Sequence, residues 1–93
     1  NLQEQKIQIA KILFEREKLA DHLKSIPIVK KIWPSYANFL LVEFTSNIMD
    51  YCLENGIVIR SMAKIVGSEK VFRISIGTPE EMEQLIHVLK EYK

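Results

Sequence analysis

The sequence predicts an α+β fold: a small mixed or antiparallel sheet of about four strands, with helices packed on it and a long N-terminal helix. Three observations predict it. Apolar residues recur at three- and four-residue spacing from Leu2 to about Ile26. Four short apolar runs follow, each bounded by turn residues. A dense helix-start signal, Thr78-Pro79-Glu80-Glu81, then opens a closing amphipathic segment.

In the first helix, Ile9, Ile12, Leu13, Arg16, Ala20 and Leu23 trace the stripe, and Ile7, Phe14 and Leu19 widen it. So broad an apolar surface implies more than one neighbour, and a helix this long on so small a unit is expected to project. Pro27 ends it. Ile28 to Ile32 reads as an edge strand because Lys30 and Lys31 interrupt it. Trp33-Pro34-Ser35 is a turn. Ala37 to Phe44 is apolar at nearly every position, as expected of a central strand covered on both faces. Thr45-Ser46-Asn47 supplies N-cap candidates for a short helix that turns Ile48, Met49, Cys52 and Leu53 inward. Asn55-Gly56 closes that helix with a left-handed cap. Ile57 to Arg60 is the third strand, and Ser61 to Lys70 a loop of moderate length. In the fourth strand Phe72, Ile74 and Ile76 share one face, and Val71, Arg73 and Ser75 the other. Thr78 is the N-cap of the last helix, Pro79 its first residue and Glu81 the capping-box acid; Met82, Leu85, Ile86 and Leu89 face the core.

Composition narrows the function classes. The 93 residues suit one domain, and 47% hydrophobic with 27% charged content is globular. A net charge of +1 with interspersed signs gives no footprint for nucleic acid or an anionic membrane. No apolar run reaches the ~18–20 residues of a membrane span. The single cysteine, Cys52, precludes an internal disulfide and points to a reducing compartment. The chain begins with Asn1 directly in helical pattern, which reads as a piece of a longer protein.

Among candidate chemistries the arginines stand out. A guanidinium does not lose its proton, so an arginine among Val, Phe and Ile must find an anion. If their strands are close, Arg60 and Arg73 converge on one patch that suits a carboxylate or phosphate. The residues alone leave the alternative open that Glu43 or another internal acid neutralises one and water the other. His22 and His87 lack companions at metal-ligand spacing. Cys52 reads as a buried inert thiol, and Ser35 and Ser61 have no base beside them. The Gly77-Thr78 amides are taken by the capping box.

Three stretches together carry a family resemblance: Pro34-Ser35-Tyr36-Ala37-Asn38-Phe39, Gly56-Ile57-Val58-Ile59-Arg60, and Phe72-Arg73-Ile74-Ser75-Ile76-Gly77-Thr78-Pro79-Glu80-Glu81. In this order and spacing they resemble the C-terminal small domain of histidinol-phosphate aminotransferases, fold-type I enzymes that use pyridoxal 5'-phosphate. Threonine-phosphate decarboxylases and other class I/II aminotransferases share much of the pattern. The resemblance covers essentially the whole chain and implies one small domain, 1–93, with residues 1–26 as a connecting helix and 27–93 as sheet and helices. It implies that Arg73 binds the anionic end of the substrate, that Arg60 helps hold a substrate phosphate, and that Asn38 belongs to the substrate site. It further implies transfer of an amino group from histidinol phosphate to 2-oxoglutarate in histidine biosynthesis, by a cytoplasmic homodimer. The family's Schiff-base lysine has no match: Lys24, Lys64 and Lys70 are not in the Ser-Lys setting it requires, so the cofactor is expected on a large domain outside this chain. Where family members often have Asp after the arginine matching Arg60, this chain has Ser61. Two other classes remain beside this one: a stand-alone anion- or amino-acid-binding regulatory module, and a structural interaction domain with both arginines in internal salt bridges.

Overall fold

A computed structural model describes residues 2–35 and 38–92. Along the chain run α1 (Leu2–Leu23), β1 (Val29–Trp33), β2 (Phe39–Phe44), α2 (Met49–Glu54), β3 (Arg60–Ser61), α3 (Ala63–Val66), β4 (Val71–Ser75) and α4 (Pro79–Lys90). The strands form one sheet in the order β1-β2-β4-β3, and every pairing is antiparallel. Ala37, which the sequence assigns to the second strand, lies outside the described residues.

β2 is central, as its apolar run predicts, but its two faces differ. Leu40, Val42 and Phe44 are buried; Phe39, Leu41 and Glu43 are only half-covered. Strand alternation puts Phe72 and Ile74 of β4 on the buried side, where Phe44 and Phe72 meet edge to face with centroids 6.0 Å apart. Leu19 and Leu23 of α1, Ile48 and Cys52 around α2, and Leu85 and Leu89 of α4 complete this core. The opposite side of the sheet carries Phe39, Leu41, Arg73, Ser75 and, through its register with Arg73, Arg60. At the far edge β1 is bulged between Val29 and Lys31, and Lys30 reaches the Glu43 carboxylate at 3.8 Å.

Helix α1 stops at Leu23 rather than near Ile26. Ile26 precedes a proline, which disfavours helical backbone there; the Ser25 hydroxyl instead bonds the His22 carbonyl at 2.8 Å. Only its C-terminal part packs. Arg16, Leu19 and Leu23 are buried, whereas Ile7, Ile9 and Phe14 are more than half exposed. The helix projects, and the N-terminal half of its apolar stripe stays largely exposed. Arg16 pairs with Glu17 at 3.0 Å.

The third strand is shorter than its sequence suggests. Ile57 donates its amide to the Cys52 carbonyl and Ile59 is buried, so only Arg60 and Ser61 reach the β4 ladder. The following loop contains the single turn α3, closed by Gly67 in left-handed conformation at φ 83°. The start of α4 forms as its sequence dictates. The Thr78 hydroxyl accepts from the Glu81 amide at 3.2 Å, and the Glu81 carboxylate accepts from the Thr78 amide at 3.0 Å.

Candidate functional site

The antiparallel register of β3 and β4 sets Arg60 directly opposite Arg73. Like charges at such cross-strand positions repel, so nothing in sheet stability favours the pair. Arg60 is exposed, and Arg73 is half-buried in the middle of β4. The Arg73 Nε is fully buried and, among the described residues, finds no hydrogen-bond acceptor. Among the described residues, no carboxylate pairs with either guanidinium. Glu43, the internal acid that position suggests, is committed to Lys30 instead.

Both arginines line a cleft of about 310 Å³ with Val58, Ile59, Ser61 and Ser75. Among the described residues that line it, the charged groups are the two guanidiniums. The Ser61 hydroxyl accepts from the Ala63 amide at 3.2 Å, whereas Ser75 is exposed beside Arg73. A larger groove of about 440 Å³ lies between α1 and Pro79, but its lining is mostly apolar, and Lys11 and Glu15 give it no net charge. Chemistry, not size, therefore selects the arginine cleft. It is positive, open to solvent and wide enough for a phosphate or carboxylate group.

Asn38 stands apart from this pair. It is exposed at the mouth of β2, its carbonyl accepts the Ile76 amide at 2.8 Å, and it does not line the cleft. Sequence reasoning missed Phe39, whose ring centroid lies 5.1 Å from the Arg73 guanidinium carbon. Pairing of Leu41 with Arg73 and of Phe39 with Ser75 makes Phe39 the diagonal neighbour of Arg73 on the same face. Knowing the register, alternation would have found it.

The remaining candidates carry no site. No cluster of metal-ligating side chains occurs among the described residues. Cys52 is fully buried, and burial pushes its thiol up to about 11, far from a thiolate at neutral pH. The Thr78 backbone amide and hydroxyl hold the Glu81 carboxyl below its ordinary range, the signature of a helix cap. No helix among the described residues is long and apolar enough to cross a membrane.

Comparison with known proteins gives the following. No family model matches the chain. Over 84 residues, 90% of its length, it is 48% identical to the histidinol-phosphate aminotransferase of Francisella philomiragia, of which it covers 23%. A crystal structure from Burkholderia pseudomallei, provisionally described as an aminotransferase, superposes with a TM-score of 0.84 at 32% identity, over 94% of this chain and 27% of that one. The histidinol-phosphate aminotransferase of Clostridium acetobutylicum gives 0.76 at 26% identity, over 85% of this chain and 25% of that one. The chain thus spans about a quarter of the length of the relatives it matches.

Proposed function

We propose that this chain, homologous over nearly its whole length to a segment of the histidinol-phosphate aminotransferases, is the small domain of such an enzyme and receives the anionic end of its substrates. The complete enzyme would transfer an amino group from L-histidinol phosphate to 2-oxoglutarate, yielding imidazole-acetol phosphate and glutamate. The observation that carries this reading is the pair of guanidiniums at Arg60 and Arg73, opposed across one ladder and, among the described residues, left without a carboxylate partner.

The two substrates pose one recognition problem: the amino donor ends in a phosphate and the acceptor in a carboxylate. A guanidinium offers a planar fork of donors that fits either group bidentately. In this reading Arg73, fixed in mid-strand, takes two oxygens of whichever anion is present. Arg60, exposed and free to swing, adds charge when the anion is a phosphate. Binding also removes the repulsion between the arginines, so both substrate and protein benefit from the same contact.

Pyridoxal phosphate is the cofactor that this homology implies. The cleft does not fit it, for it has no lysine to hold the aldehyde and no aspartate to face the pyridine nitrogen. We therefore place the cofactor on the part of the enzyme outside this homologous segment and assign it no step on these residues. Asn38 would reach the substrate from the mouth of β2. The complete enzyme would be a homodimer in the cytoplasm, a setting that suits a lone buried thiol.

The test is Arg73→Met in the complete enzyme. Charged hydrogen bonds are worth about 1.5–3 kcal/mol, so KM for histidinol phosphate should rise on the order of 10- to 150-fold. The visible absorbance of bound cofactor should stay as in the parent. An unchanged KM would overturn the reading.

A further inference from the structure

We propose that Phe39 is a positioning residue for the anion site, holding the Arg73 fork toward the cleft while leaving its charge and its donors available. The inference rests on the reading of Arg73 as an anion receptor.

Arginine has a long flexible side chain, and Arg73 occupies the face of the sheet away from the helices that cover the core. Something must restrict it if it is to meet an anion in one geometry. A carboxylate would do so firmly, but would neutralise the charge and occupy the edges a substrate needs. An aromatic ring attracts a guanidinium through its quadrupole and consumes no N–H donor. Phe39 supplies such a ring. Its centroid is 5.1 Å from the guanidinium carbon, within the range of an effective cation–π contact. The ring is half-buried and sits on the central strand, so its own position is set by backbone pairing to Ser75. Arg73 Nε is shut off from solvent in the same region, the expected state of a fork pinned at its base. Among the described residues no aromatic ring faces Arg60, which is exposed. The two arginines are thereby unequal: one preset, the other adaptable.

Two measurements test this. In the complete enzyme, Arg73 Nε–H should exchange slowly with solvent; Phe39→Leu should accelerate that exchange, and Phe39→Tyr should keep it slow. In the complete enzyme, Phe39→Leu should raise KM for the phosphate-bearing donor about 2- to 30-fold, the span of cation–π strengths, with kcat nearly unchanged. Phe39→Tyr should restore the parent value. If Arg73→Met raises KM while Phe39→Leu alters neither exchange nor KM, the positioning role is wrong and the anion site stands. Failure of Phe39→Tyr to rescue, or a loss confined to kcat, also overturns the role, since it marks a general packing effect. If Arg73→Met itself leaves KM alone, the underlying reading fails first.

Discussion

Replacing Arg73 by Met in the 93-residue chain separates a binding arginine from a structural one, because the two roles give opposite signs in stability. Met keeps the unbranched apolar stem along β4 and removes the charged fork. Three contributions then change. A buried donor with no acceptor disappears, relieving about 1–3 kcal/mol. The cross-strand repulsion with Arg60 goes too, worth roughly 0.2–1 kcal/mol. Against these, the contact with Phe39 is lost, about 0.5–2 kcal/mol. The balance runs from a loss of about 0.8 to a gain of about 3.5 kcal/mol, with a gain of about 1 kcal/mol as the central expectation. For a domain of this size that is a rise of roughly 4–8 °C in Tm. The assay is thermal and urea unfolding followed by far-UV circular dichroism at low salt, where the repulsion is least screened. A loss of 1 kcal/mol or more would refute the reasoning, since it would mean that the native fold draws net stability from this cation.

Three further outcomes follow from the packing. Leu19→Ala should destabilise the chain by about 2–5 kcal/mol in urea titration, because Leu19 is fully enclosed, whereas Phe14→Ala on the projecting part of the same helix should change it by less than about 0.5 kcal/mol. Thr78→Ala should cost about 1 kcal/mol through loss of the cap. It should also flatten the acid limb of the stability profile: a lowered native pKa at Glu81 gives stability that is complete above the usual carboxylate value and fades as pH falls through the lowered one. Cys52 should react with a thiol reagent only as fast as the fold opens, so urea at the unfolding midpoint should accelerate labelling sharply while native protein stays unlabelled at neutral pH.

What could be read from the sequence divides along one physical line. Features set by neighbours in the chain were legible: the Thr78 capping box, the left-handed Gly56 and the largely apolar run of β2. Features set by register were not. The brevity of β3 depends on where β4 presents free ladder groups, and the arginine pair and its Phe39 neighbour exist only once Leu41 opposes Arg73 and Arg60 opposes Arg73. Periodicity exposed an apolar stripe on α1 but carried no information on what covers it, and Ile7, Ile9 and Phe14 stay more than half exposed. The turn α3 buries no side chain of its own, so no apolar pattern announces it.

The two-residue ladder of β3 has a consequence for the length of the excursion at 62–70 that leads into β4. Deleting or adding a single residue there would slide β3 one step along its neighbour and carry Arg60 through to the opposite surface, away from Arg73. A change of two residues would restore the surface but move the guanidinium by about 7 Å along the strand. The excursion acts as a ruler: its span, more than its composition, decides where the second positive charge lands.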